Sequence, residues 1–241
     1  IVGGTLHGTE WRSSTPSAQV KSCVLIAGLA ASGTTTYVES VATRDHSERM
    51  LTARGASISR VRGADGGWSI SVQGGTQLRA LPQVQVPGDP SSAAFWLVAA
   101  SLHPDADLTI RGVSLNPTRR HVIEILRRMG ASIEETPRPD DGSGEPIGDL
   151  RVRRADLHGV EITPQDVALA IDEMPILSLA ATAARGASSI RGAGELRAKE
   201  SDRIAGVAAG LTALGLNVSV TGDDLHFVGG GRPSAGLTES L

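Results

Sequence analysis

The chain has 241 residues, 40% hydrophobic and 20% charged, with 23 basic against 26 acidic side chains and a net charge of −3, so it is long enough to bury a core and is globular rather than disordered. That balance excludes a global basic field for nucleic acid, and an aromatic content of 2% argues against single-strand binding by base stacking. A single cysteine, Cys23, excludes an internal disulfide framework and a cysteine-rich zinc site and points to a reducing, cytoplasmic setting.

The chain begins with Ile1 rather than Met, which reads as a trimmed piece of a longer protein. Ile1-Val2-Gly3-Gly4 matches the mature N-terminus of trypsin-like proteases, but the nucleophile loop, histidine segment and disulfides of such an enzyme are not in the sequence. No signal peptide is visible, and the longest apolar stretches, Cys23–Ala31 and Ala93–Ala100, are too short to span a bilayer.

Pro16–Ala31 reads as a helix that is apolar on nearly every side. It is followed by a strand at Thr34–Glu39, a polar loop, a helix at Asp45–Arg54, and then Gly55 and a strand at Ile58. Gln83–Asp89 joins this segment to the next. Asp89-Pro90 reads as an N-cap with proline at the first helical position. The layout then repeats: an apolar helix Pro90–Leu102, a strand Asp107–Gly112, a helix Thr118–Met129, and Gly130 before a strand at Ile133. Val122, Ile125, Leu126 and Met129 fall at helical spacing, and Gly130 stands where a left-handed C-terminal residue belongs. Thr136–Gly148, rich in Pro, Asp and Gly, is a surface loop inside this second segment. A third pass follows with Ala170–Arg185, Ala187–Gly192, Ser201–Leu214 and Gly215–Val218. A period of roughly 75–85 residues suits a βαβαββ repeat rather than a thin solenoid. The apolar, alanine-rich first helix of each repeat is expected to be buried, with the second helix nearer solvent.

The chemistry-bearing residues cluster at equivalent edges of the repeats. Ser17 and the backbone N–H groups after it form a ready anion site, or an ordinary serine N-cap. Arg44, in the loop running through His46 to Arg49, is a phosphate ligand or one half of a surface ion pair. Asp172 is a general base if it faces a cleft, and otherwise an acid favouring a helix N-terminus. Lys199 and Arg203, four apart, are expected to share a helical face and grip a dianion beside Glu200; a solvated, charge-laced helix start is the competing reading. No His/Asp/Glu cluster has metal-ligand spacing, so no metal site is expected.

Taken together, SAQVKS at Ser17–Ser22, RDHSERM at Arg44–Met50, GDPSSAAFWLVAA at Gly88–Ala100, NPTR at Asn116–Arg119, IDEMPILSLAA at Ile171–Ala181 and RAKESDR at Arg197–Arg203 resemble the EPSP synthase (3-phosphoshikimate 1-carboxyvinyltransferase) family, in its order and over nearly the whole chain. The first, second and fourth of these are similar to the class II branch, which includes glyphosate-tolerant members. The related UDP-N-acetylglucosamine enolpyruvyl transferases do not carry the KESDR run. The resemblance implies an α/β fold of βαβαββ units, three per domain, with buried helices covered by sheets and the substrate cleft between two domains. It assigns residues 1–86 to the last unit of one domain and 87–241 to two units of the other. It implies transfer of the enolpyruvyl group of phosphoenolpyruvate to the 5-hydroxyl of shikimate 3-phosphate, by addition and loss of phosphate, in a usually monomeric enzyme without cofactor, metal, nucleic-acid or membrane partner.

By the same resemblance Ser17, Ala18, Gln19, Arg44, Asp172 and Lys199 contact shikimate 3-phosphate, Gln19 and Arg203 contact phosphoenolpyruvate, Asp172 accepts a proton and Glu200 transfers one. Glu195 stands where relatives carry Asn and is given no role. The family's lysine–serine, glycine-loop and DHR-like segments are not in the sequence, from which an isolated chain without turnover is expected, either binding shikimate 3-phosphate weakly or serving only as a structural piece.

Overall fold

A computed structural model describes residues 3–198 and 201–234. In chain order the elements are β1 (Glu10–Arg12), α1 (Ala18–Leu29), β2 (Thr34–Glu39), α2 (His46–Ala53), β3 (Ile58–Arg62), β4 (Trp68–Gln73), α3 (Pro90–Leu102), β5 (Asp107–Ser114), α4 (His121–Arg128), β6 (Ser132–Pro137) and β7 (Ile147–Arg153). They continue with β8 (Glu161–Ile162), α5 (Pro164–Leu169), α6 (Met174–Ala183), β9 (Ser188–Ile190), α7 (Arg203–Ala213), β10 (Val218–Thr221) and β11 (Asp224–Phe227), with short 3-10 turns at Ile171–Glu173 and Gly194–Ala198.

The βαβαββ repeat is written into the sheets. In the first, β1 runs parallel to β2, β2 antiparallel to β4, and β4 antiparallel to β3. The third has the same order: β8 parallel to β9, β9 antiparallel to β11, β11 antiparallel to β10. In the second, β5-β7-β6 form the sheet and the leading strand shrinks to one parallel bridge, Gly88 to Val113. Gly55, Gly130 and Gly215, which end the outer helix of each repeat, have φ of 90°, 94° and 75°, a left-handed conformation that glycine adopts without Cβ strain. At Gly28, α1 approaches its sheet so closely that a Cβ would lie 2.7 Å from Val72 and 2.8 Å from Thr35.

The chain forms two compact bodies. One is Ile1–Val86 with Pro139–Pro146; the other is Pro87–Arg138 with Ile147–Leu241. The first is built on Leu25, Tyr37, Leu51, Ala56, Ile70 and Val72. The larger core of the second centres on α3, α4 and α6. The middle of the loop placed by the sequence within the second segment packs with the first body instead. There Asp141 accepts a hydrogen bond from the Gln85 N–H (3.1 Å), Glu145 meets His46 at 2.7 Å, and the Gly144 carbonyl accepts from Arg49 (3.5 Å).

The uniform burial expected of the first helices holds for α6, where no residue is exposed, but not for α1 and α3. Val20 and Ile26 of α1 are 40% and 51% exposed, and Phe95 and Trp96 of α3 are 59% and 61% exposed. For α1 the reason is its surroundings: it packs on β2 and β4 of a single sheet, whereas α6 packs against α3, α7, β9 and β11. Thr118–Met129 is helical only from His121, because Asn116 Oδ1 accepts from both the N–H and the hydroxyl of Thr118 (2.8 Å each) and holds a turn before it. Among the described residues no helix is long and apolar enough to cross a membrane.

Candidate functional site

In the first body the expected site residues gather at the N-terminus of α1 and the loop after β2. Ser17 caps α1, its hydroxyl accepting from the Val20 N–H at 3.3 Å. The same hydroxyl lies 3.4 Å from Gln19 Oε1, and Gln19 is exposed. Ser17 is therefore a helix cap, as one of its two sequence readings required, and its Ala18 and Gln19 neighbours form the open first turn.

Beneath that turn lies a group the sequence reading missed. Lys21 is fully buried, and its ammonium contacts Glu48 at 2.9 Å, Glu39 at 3.2 Å and the Thr43 carbonyl at 3.3 Å. Glu39 accepts in turn from the Thr43 N–H (3.2 Å) and hydroxyl (2.6 Å). Among the described residues both Glu48 oxygens are buried and accept no hydrogen bond, so that carboxylate leans on charge, with the Lys21 ammonium at 2.9 Å. The effect is to pin Thr43, and with it the chain at half-buried Arg44, to the first turn of α1. The available signal was a lysine inside an otherwise apolar helix, with acids at Glu39 and Glu48.

In the second body Asp172 lies in the 3-10 turn Ile171–Glu173, immediately before α6. Its Oδ1 is 3.4 Å from Nη1 of Arg203, the first residue of α7, and the two side chains are 35% and 28% exposed. Asp202 caps α7 through the Ala205 N–H (3.0 Å) and binds Arg197 at 2.8 Å. Hydrogen bonds from Ala205 and Arg197 hold the Asp202 carboxyl below its usual range against a smaller opposing effect of burial. α7 opens at Arg203 and not at Ser201, and the expected sharing of one helical face by Lys199 and Arg203 falls outside the described residues. Lys199 and Glu200 lie outside the described residues.

Behind Asp172 runs a second buried network absent from the sequence reading. Glu173, 1% exposed, accepts from the Ser91 hydroxyl at 2.5 Å, and that hydroxyl accepts from Arg119 at 2.7 Å. Arg119, 8% exposed, also binds Asp89 at 2.9 Å, and Asp89 caps α3 through the Ser91 and Ser92 N–H groups (3.2 and 3.1 Å). Burial pushes the Asp89 carboxyl up, but these hydrogen bonds outweigh it and hold it below the usual carboxylate range.

A family model described as EPSP synthase (3-phosphoshikimate 1-carboxyvinyltransferase) matches residues 1–238. Two relatives named 3-phosphoshikimate 1-carboxyvinyltransferase, from Synechococcus sp. and Rhodospirillum rubrum, are 49% and 50% identical over 95% and 96% of this chain, which in each case is 51% of theirs. An EPSP synthase structure from Acinetobacter baumannii superposes with a TM-score of 0.84 at 42% identity, covering 95% of this chain and 50% of that one. An enolpyruvyl transferase from Streptomyces tendae, 24% identical with a TM-score of 0.62, shares the fold. The chain thus spans about half the length of the curated relatives it matches. With its α/β repeats, its motifs in order and identity near one half, the chain belongs to the EPSP synthase (3-phosphoshikimate 1-carboxyvinyltransferase) family.

Proposed function

We propose that this chain carries part of the machinery that transfers the enolpyruvyl group of phosphoenolpyruvate to the 5-hydroxyl of shikimate 3-phosphate. The observation that carries the reading is the Asp172–Arg203 pair, a carboxylate and a guanidinium 3.4 Å apart and both solvent-accessible. A carboxylate so placed is suited to accept the hydroxyl proton as that oxygen attacks the enol carbon. A guanidinium beside it is suited to the carboxylate and phosphate of phosphoenolpyruvate, for which a planar fork is the better ligand.

In this reading the first turn of α1, Ser17, Ala18 and Gln19, together with Arg44, binds shikimate 3-phosphate. Free N–H groups at a helix start and a guanidinium held by its neighbours are suited to a phosphate dianion. Lys199 is assigned to the same substrate and Glu200 to proton transfer, on the match of the RAKESDR run alone. Attack of the hydroxyl oxygen at the enol carbon with protonation of the methylene forms a tetrahedral intermediate, and loss of phosphate with a proton from the new methyl group restores the vinyl ether. A reducing, cytoplasmic setting, to which the lone Cys23 is suited, belongs to the same proposal.

Calorimetric titration of the 241-residue chain with shikimate 3-phosphate, followed by a phosphate-release assay with phosphoenolpyruvate, tests the reading. Saturable binding that weakens at least tenfold in Arg44→Ala supports it, and release of phosphate in the same preparation extends it to turnover. No binding at millimolar substrate overturns it for this chain.

A further inference from the structure

Three motifs in the second body, GDPSS at Gly88–Ser92, NPTR at Asn116–Arg119 and IDEMP at Ile171–Pro175, are far apart in sequence, and the proposed reaction uses only Asp172 among them. The fold joins all three. Gly88 pairs with the end of β5, its N–H donating to the Gly112 carbonyl (2.7 Å) and its carbonyl accepting from the Ser114 N–H (2.9 Å). The chain after β5 turns at Asn116, which accepts from Thr118 and whose carbonyl receives the Arg119 N–H at 2.8 Å. That turn delivers the Arg119 guanidinium, buried, to the first turn of α3. One nitrogen, Nη2, reaches both Asp89 and the Ser91 hydroxyl and lies 3.8 Å from Glu173.

We propose that Glu173 and Arg119 are positioning residues for Asp172, acting through the Ser91 hydroxyl; the proposal rests on the assignment of Asp172 above. The Ser91 hydroxyl has one proton. It accepts from Arg119, so that proton is directed to Glu173, and the relay has a single orientation. Glu173 is the residue after Asp172 and precedes the first residue of α6. A buried carboxylate locked at this point fixes the backbone of the 3-10 turn. It thereby sets where the Asp172 carboxylate meets Arg203. Two helix N-termini, of α3 and α6, favour a negative charge at the same place. Replacing Arg119 leaves a buried carboxylate with its hydroxyl donor no longer oriented, and the turn loses its anchor.

The test uses the 241-residue chain and the variants Arg119→Met and Glu173→Gln, alone and combined with Asp172→Asn. Amide hydrogen exchange at residues 171–173 is read without ligand, and shikimate 3-phosphate affinity is read by titration. The expected result is exchange at 171–173 at least tenfold faster in Arg119→Met, with β6 and β7 unchanged. The affinity loss is expected to be roughly tenfold in each single variant and no larger in the double, because Arg119 acts only through Asp172. A folded Arg119→Met with parent exchange and affinity overturns the proposal, as do losses that multiply to about a hundredfold in the double. If Arg119→Met does not fold, the same cycle is run with Glu173→Gln, which keeps the Ser91 contact but loses the charge. If the parent chain itself fails to bind shikimate 3-phosphate, the functional reading falls. The exchange arm then decides the positioning claim, with unchanged protection at 171–173 overturning it.

Discussion

The two bodies solve one problem with opposite charges. Each must hold a short polar segment against the first turn of an apolar helix. The first buries a cation: Lys21 of α1 gathers Glu39, Glu48 and the Thr43 carbonyl. The second buries an anion: Glu173, at the start of α6, is held by Ser91 and Arg119. The anion has help that the cation lacks. A carboxylate at a helix N-terminus is favoured by the dipole, whereas an ammonium within the first turns is disfavoured and relies on its partners. Glu173 also keeps a neutral hydroxyl donor if Arg119 is removed, while among the described residues Glu48 accepts no hydrogen bond and meets the Lys21 ammonium at 2.9 Å. The first body should therefore be the more brittle at its anchor, and the second the more tolerant.

The strongest test of that asymmetry is Lys21→Met. It leaves two buried carboxylates uncompensated and is expected to destabilise the first body by about 3–5 kcal/mol in urea unfolding. Adding Glu39→Gln and Glu48→Gln should recover most of the loss. A single variant as stable as the parent would remove the comparison's premise.

Asp172→Asn sharpens the functional side. In a fusion supplying the remaining half of a family relative, turnover is expected to fall roughly 100-fold, because the amide cannot accept the proton. Since the buried anchor is Glu173 and not Asp172, the unfolding midpoint should stay within a few degrees. A lowered midpoint with near-parent turnover would return Asp172 to a purely structural role.

Acid breaks the second body at another carboxylate. Burial pushes Asp166 up, but Arg128, His121 and Thr163 bind it and hold it far below the usual carboxylate range. A carboxyl depressed on folding contributes stability at pH values above its unfolded value of about 3.9, and the contribution disappears as pH falls through the folded value. On the order of 2 kcal/mol should accordingly be lost from about pH 4 downward. Asp166→Asn should lower stability near neutral pH and flatten this acid limb; an acid limb identical to the parent's would assign the loss to other groups.

The smallest expected effect is at the cap of α1. Ser17→Ala removes one acceptor for the Val20 N–H and should cost about 1 kcal/mol. If Ser17 also binds substrate, shikimate 3-phosphate affinity should fall in the folded variant as well. Lowered stability with parent affinity would make it a cap alone.

The repeat was legible in the sequence because its signals are local. Apolar periodicity marks α4 through Val122, Ile125, Leu126 and Met129; the glycines at 55, 130 and 215 mark the helix ends; and Asp89-Pro90 marks the start of α3. The family was legible too, since its motifs are short and contiguous. Burial was not. Ala-rich α1, α3 and α6 look alike as sequences, yet α6 is enclosed while Phe95 and Trp96 of α3 face outward. Which faces of a helix are covered depends on elements distant along the chain. The same holds for the anchors. Glu173 and Arg119 are 54 positions apart, and Lys21 and Glu48 are 27 apart; a charge reads as exposed until the fold encloses it with a partner. Nor could sequence send residues 139–146 to the first body, which depends on His46 and Gln85 lying where Glu145 and Asp141 can reach them. Local stereochemistry and periodicity determined the elements and their order. Tertiary structure alone decided which charges are buried, because the cost of burying a charge is set by partners that only folding brings within reach.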